Sequence, residues 1–148
     1  MSRLPYAIYA FYHWLYLKRL PVLPRILMYL NRIIFGAYIP PEASIGLGTR
    51  FSYGGSGVVI HKAAVIGVDC TIGPGCTIGG RSRQKKVPVL GDRVYIGGGA
   101  KVLGEVVIGS DVVIGANAVV IHDVPSNSIV AGVPAKIIKK KIKIDDYV

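Results

Sequence analysis

Acidic residues are scarce in this chain: eight Asp and Glu stand against 18 Lys and Arg, a formal net charge of +10. Such a surface attracts anions, among them phosphate-bearing cofactors, anionic lipid head groups and nucleic acid, and charge alone does not choose among them. Cysteine is scarce too. Cys70 and Cys76 are the only two, they fall in equivalent slots of the repeat described below, and they read as small buried side chains rather than a disulfide or metal site. No run of 18 or more apolar residues occurs, which excludes a membrane-spanning helix. The opening residues faintly resemble a secretion signal, but no small-residue cleavage site follows and Lys18 and Arg19 arrive too soon. A cytoplasmic protein is the simplest reading. Hydrophobic residues and glycine are abundant, at 51% and 19 residues, so a disordered chain is excluded as well. A length of 148 residues allows one domain and a short appendage.

The chain repeats with a period of six. Leu90, Ile96, Val102, Ile108, Ile114 and Val120 are branched aliphatics, and four residues after each of the first five comes Val94, Ala100, Val106, Val112 or Ala118. Ile60, Ile66, Ile72 and Ile78 form a second run, with Ala64, Cys70 and Cys76 in the small slot, and Ile39, Ile45 and Phe51 form a third. A triangular coil of three short strands needs this: a large aliphatic inside each face, a small residue near each corner, 18 residues per coil. Gly48, Asp69, Gly75, Gly99, Asp111 and Asn117 recur where tight corners require positive φ, which these residue types tolerate. Neither a helical period nor simple two-residue alternation produces this pattern.

Two stretches interrupt the count: Phe51 to Ile60 spans nine residues, and Gly80 to Val89 (GRSRQKKVPV) breaks the aliphatic pattern. Loops extruded from a rigid scaffold are where chemistry usually sits. Met1 to Phe35 lacks the period and reads as two helices broken by Pro21 and Pro24. Its aromatics (Tyr6, Tyr9, Phe11, Tyr12, Trp14, Tyr16) beside Lys18, Arg19, Arg25 and Arg32 suit a membrane interface, or else packing on a neighbouring subunit or the first coil.

Three stretches, GSGVVIHKAAVIG (55–67), YIGGGAKVLGEVVIG (95–109) and VIGANAVVIHDVPSNSIVAGVPAKII (113–138), carry a resemblance. From Ile39 onward the sequence resembles the hexapeptide-repeat acyltransferases, closest to the serine acetyltransferase branch and its relatives that O-acetylate bacterial surface polysaccharides. The resemblance implies an all-β solenoid, a left-handed parallel β-helix with a short α-helical N-terminal appendage. Residues 1–38 are then the appendage, 39–138 the β-helix acyltransferase domain and 139–148 a basic C-terminal tail, with the lysines from Lys136 to Lys143 capping the last coil. It also implies a homotrimer with acetyl-CoA as co-substrate in grooves between neighbouring chains, and no metal. Carried over position by position, it puts Gly98, Ala116 and Ile121 beside the pantetheine arm and Lys136 and Lys139 near the CoA phosphates. Lysine stems can reach a phosphate with a mobile point charge.

Acyl transfer to a hydroxyl needs a general base, normally His. Serine acetyltransferases resembling this chain carry an Asp-His pair in the first irregular loop, where Tyr53 and Gly54 stand, and a His in the second, where Val87 stands beside Pro88. His61 takes the slot after Ile60 that glycine normally fills, so its imidazole is expected to project at a corner as the base. Tyr53 is its expected hydrogen-bonding partner or a substrate contact; His13 and His122 are the alternative bases.

The missing Asp-His pair points away from serine. The expectation is therefore an O-acetyltransferase acting on a sugar hydroxyl of a surface-polysaccharide precursor, peripheral on the inner membrane face. The alternatives are a serine O-acetyltransferase, an amino-sugar N-acetyltransferase and a catalytically silent trimeric scaffold. A γ-carbonic anhydrase would need three histidines around a metal, a spacing His61 and His122 do not show. No nucleic-acid recognition motif accompanies the basic charge.

Overall fold

The computed structural model describes residues 3–147; Met1, Ser2 and Val148, at the ends of the expected appendage and tail, lie outside the described residues. Two helices, α1 (Leu4–Leu17) and α2 (Leu23–Phe35), precede a three-sided parallel β-helix. Each helix has a proline in its first turn, where the missing N–H costs no hydrogen bond, and α2 stops at Gly36 with φ 70°. No helix among the described residues is long and apolar enough to cross a membrane.

The first face of the solenoid stacks β1 (Ser44–Ile45), β4 (Val65–Ile66), β7 (Val89–Leu90) and β10 (Val107–Ile108). The second stacks β2 (Arg50–Phe51), β5 (Thr71–Ile72), β8 (Tyr95–Ile96), β11 (Val113–Ile114), β13 (Ser128–Gly132) and β14 (Ala135–Lys140). The third stacks β3 (Val59–Ile60), β6 (Thr77–Gly79), β9 (Lys101–Leu103) and β12 (Val119–Val120). Every pairing is parallel except β13 with β14, which is antiparallel. β14 runs two residues past Ile138 and carries Lys136, Lys139 and Lys140, three of the lysines expected to cap the last coil, all exposed.

The repeat assigns the interior directly. Ile60, Ile72, Ile78, Ile96, Val102 and Ile114 are fully buried, and so are the small-slot residues Cys70, Cys76, Ala100, Val112 and Ala118. The six corner residues expected at positive φ all adopt it, between 54° and 79°. Arg93 and Asn127 occupy the same slot at φ 50° and 57° without being glycine or aspartate. Glycines after the aliphatics let the coils touch: a Cβ on Gly46 would lie 2.5 Å from the Gly67 carbonyl carbon, and one on Gly97 would lie 2.6 Å from the Ala116 nitrogen. The edge where His61 sits differs. A Cβ on Gly79, its neighbour one coil on, would meet nothing closer than Thr77 at 3.7 Å, so that edge has room for side chains.

α1 is bolted to the first coil. The Tyr12 hydroxyl donates to the Ile39 carbonyl at 2.6 Å, and one nitrogen of His13, Nδ1, donates to the Pro41 carbonyl at 2.6 Å. Tyr9 and Tyr12 are buried, and their rings meet edge to face at 5.6 Å. Asn31 of α2 is buried too, donating to Tyr12 Oη at 3.5 Å, with its own Oδ1 unpartnered among the described residues.

Candidate active site

The expected site residues fall on two edges of the prism, on either side of the third face. The edge between the second and third faces carries Tyr53, Gly98, Ala116 and Lys136. Backbone hydrogen bonds run along it from coil to coil: Gly75 N–H to Ser56 O (2.7 Å), Gly99 N–H to Pro74 O (2.8 Å) and Asn117 N–H to Gly98 O (2.9 Å). A Cβ on Gly115 would contact Ala131, and Ala131 pairs with Lys136, which brings that lysine to the top of the same edge. Lys136 is exposed and joins no ion pair among the described residues.

The edge between the third and first faces carries His61 and Ile121. His61 N–H donates to Ile78 O at 2.8 Å, and Gly79 pairs with Leu103 one coil further on. The ring is half-buried in a hollow of about 270 Å³ that Tyr38, Pro40, Lys62 and Gly79 help to line. Tyr38 and Pro40 were not legible as site residues, because they flank Ile39 at the very start of the repeat; Tyr38 is held beside this edge by its bridge to Val59. The Ala63 N–H donates to His61 Nδ1 at 3.1 Å, so the neutral ring carries its proton on Nε2.

The second irregular loop rises beside this hollow. Gln84 Oε1 accepts the Glu105 N–H at 2.8 Å and Lys86 pairs with Glu105 at 2.7 Å, anchoring the loop to the next coil. Arg81, Arg83 and Lys85 are left exposed and without a salt bridge among the described residues. The loop, marked in the sequence by its break in the aliphatic pattern, thus adds three cations to the His61 edge.

Two expected relationships are absent within one chain. Tyr53 does not meet His61: its ring is 85% exposed, on a 3₁₀ turn at φ 51°, ψ 37°, and its hydroxyl makes no hydrogen bond among the described residues. The two residues flank β3, a two-residue strand, and so leave it on opposite edges. Lys139 does not join Lys136 either. It pairs with Ile129 near the start of β13, and its Nζ donates to Tyr147 Oη at 2.6 Å. Burial pushes the Cys70 thiol up to about 11 and raises that of Cys76, so neither is a nucleophile at neutral pH. Of the alternative bases, His13 is committed to Pro41, and His122 is exposed beside Ile121.

Comparison with known proteins fits this geometry. The profile described as bacterial transferase hexapeptide (six repeats) matches residues 88–122. The chain is 45% identical over 136 residues to a serine acetyltransferase of Synechococcus elongatus, covering 90% of this chain and 55% of that one. It is 46% identical over 134 residues to a serine acetyltransferase of Helicobacter pylori, covering 89% and 78%. Among solved structures, serine acetyltransferase of Brucella abortus in complex with coenzyme A superposes with a TM-score of 0.85 at 34% identity, covering 90% of this chain and 54% of that one. That of Neisseria gonorrhoeae in complex with serine gives 0.83 at 37%, covering 89% and 54%. The fold is therefore the left-handed parallel β-helix of these enzymes. The chain spans about half the length of most of these proteins.

These likenesses overturn the expected sugar acceptor. That expectation rested on the replacement of two short motifs at Tyr53, Gly54 and Val87, whereas the identity to serine acetyltransferases extends over nine-tenths of the chain. The chain belongs to the hexapeptide-repeat transferase family, in the branch of the serine acetyltransferases.

Proposed function

We propose that this protein transfers an acetyl group from acetyl-CoA to the hydroxyl of serine. The observation that carries the reading is the 45–46% identity to serine acetyltransferases across nearly the whole chain. The serine oxygen attacks the thioester carbonyl, a C–O bond forms and the C–S bond breaks. The hydroxyl proton passes to His61 and then to the departing CoA thiolate.

His61 accepts that proton on Nδ1, the nitrogen bearing the lone pair, once its ring turns away from the Ala63 N–H. The CoA chain lies along the edge of Gly98 and Ala116, where small residues leave backbone groups open, and Lys136 meets its phosphates. In one chain the two edges are separated by the third face. A homotrimer resolves this, because packing three prisms side by side sets the Gly98 edge of one against the His61 edge of the next. Within such a groove Tyr53 contacts the substrate across the interface, and Ile121 closes over the pantetheine.

The test is release of CoA thiol from acetyl-CoA with and without serine, using wild type, His61→Ala and His61→Gln, with CoA binding measured in parallel. Serine-dependent release, reduced about 100-fold or more in both variants while CoA binding is kept, is expected. Full turnover in His61→Ala would remove His61 as the base. Binding of CoA without serine-dependent release would overturn serine as the acceptor.

A further inference from the structure

The α1–α2 hairpin presents an outer surface that the solenoid does not use. Tyr9, Tyr12 and Met28 face inward, whereas Phe11, Trp14, Leu17, Ile26, Leu30 and Ile33 are exposed, Ile33 by 80%. Between the helices lies an apolar groove of about 410 Å³, walled by Ile8, Phe11, Leu27, Leu30 and Ile34. At the turn joining them, Arg19 and Arg25 border a second hollow of about 540 Å³ with Tyr16 and Leu20. The inward face is fixed by the hydroxyls of Tyr9 and Tyr12, so the outward face has a set orientation on the body.

Its charge is of one sign. Arg3, Lys18, Arg19, Arg25 and Arg32 are all exposed, no acidic residue precedes Glu42, and none of the five joins a salt bridge among the described residues. Lys18 lies over the Trp14 ring at 5.8 Å, so cation and aromatic share one patch. An apolar patch of this extent is not left in water without a partner. A second copy would bring a matching set of cations against these with no carboxylate to offset them. The occupant must be apolar at its centre and negative at its rim.

We propose that this hairpin docks the protein on an anionic lipid bilayer. Trp14, Phe11, Ile33 and their neighbours enter the interface, and Lys18, Arg19 and Arg25 lie over the head groups, whereas Arg32 stacks on Tyr38 at 5.5 Å. The outward face lies on the two helices, whereas the edges of the acetyl-transfer groove lie on the solenoid.

Trp14 is the only tryptophan, so its emission reports the contact directly. The full chain is titrated with vesicles of phosphatidylcholine alone and with vesicles of equal parts phosphatidylcholine and phosphatidylglycerol, and binding is confirmed by co-sedimentation. A blue shift and sedimentation with the anionic vesicles only, weakened by salt, are expected. Ile33→Glu/Ile34→Glu, both at exposed positions and checked for native circular dichroism, should abolish the shift. Arg19→Glu/Arg25→Glu should weaken it about tenfold or more. An unchanged emission on adding anionic vesicles would overturn the proposal. So would the same shift on raising protein concentration without lipid, which would assign the face to a second copy, or full displacement by soluble glycerol phosphate, which would assign it to a small anion.

Discussion

The hydroxyl of Tyr9 donates to the carbonyl of Ala43 at 2.6 Å and accepts the N–H of Ile45 at 3.2 Å, tying the middle of α1 to both sides of the first corner. Both bonds are buried. Tyr9→Phe keeps the ring and its packing but leaves a donor and an acceptor unpaired. We expect a loss of about 1–3 kcal/mol in urea unfolding. A loss within error would mean that these two bonds add nothing to the stability of the solenoid.

Glycines one slot apart in the repeat should respond very differently to a methyl group. Gly97→Ala would press against the Ala116 backbone at 2.6 Å, whereas Gly80→Ala finds nothing nearer than Val87 at 3.9 Å. Overpacking typically costs about 1–3 kcal/mol, so Gly97→Ala should lower the thermal midpoint by several degrees and Gly80→Ala should leave it in place. Because Ala116 lies on the proposed CoA edge, Gly97→Ala should also weaken CoA binding, measurable by calorimetry.

Alkaline pH should loosen the fold through its buried thiols. Folding raises the Cys70 thiol from 9.0 to about 11 by burial, and Cys76 shifts in the same direction. The folded state therefore keeps these protons to higher pH than the unfolded state does. The resulting stability is fully present below pH 9, falls as the pH rises toward 11, and for Cys70 is on the order of 2 kcal/mol. Cys70→Ala, which places in this slot the residue that Ala64 and Ala118 already supply, should flatten the pH dependence of the unfolding midpoint.

A groove shared between chains can be tested by mixing defects. His61→Ala spoils one edge and Ala116→Arg the other. If both edges belong to one chain's site, co-refolded mixtures stay inactive. If the groove spans two chains, mixed oligomers contain some grooves with both edges intact, and thiol release should recover in part. Activity in either variant alone would undercut the assignment of its edge.

How much of this was legible in the sequence depended on what six-residue spacing encodes. Spacing fixes which residues share a column, and so it identified Ile60, Ile78 and Val102 as interior and Asp69 and Asn117 as left-handed corners. It also marked His61 as anomalous in a glycine slot, and the open edge around Gly79 is the physical reason a large ring fits there. Spacing carries no information about which columns meet across chains. Within one chain Tyr53 and His61 do not meet, since Tyr53 lies between β2 and β3 and His61 between β3 and β4. The spacing did not show that Lys139 pairs with Ile129, because the antiparallel turn into β14 reverses the order of columns, nor its tie to Tyr147, which arises outside the repeat. The acceptor was misjudged because two local replacements were weighed above a likeness spread over the whole solenoid.

The antiparallel pairing of β14 on β13 has a consequence for how this molecule could change in length. A parallel solenoid grows by copying its last coil, and each new coil needs a parallel template beneath it. β14 offers the wrong direction, and at the other end α1 covers the first corner through Tyr9, Tyr12 and His13. Parallel growth on the second face is therefore blocked at the β14 end. An 18-residue duplication placed between β9 and β10 would meet parallel neighbours on all three sides and preserve every column. Lineages carrying longer or shorter versions of this body should differ by whole coils in its middle.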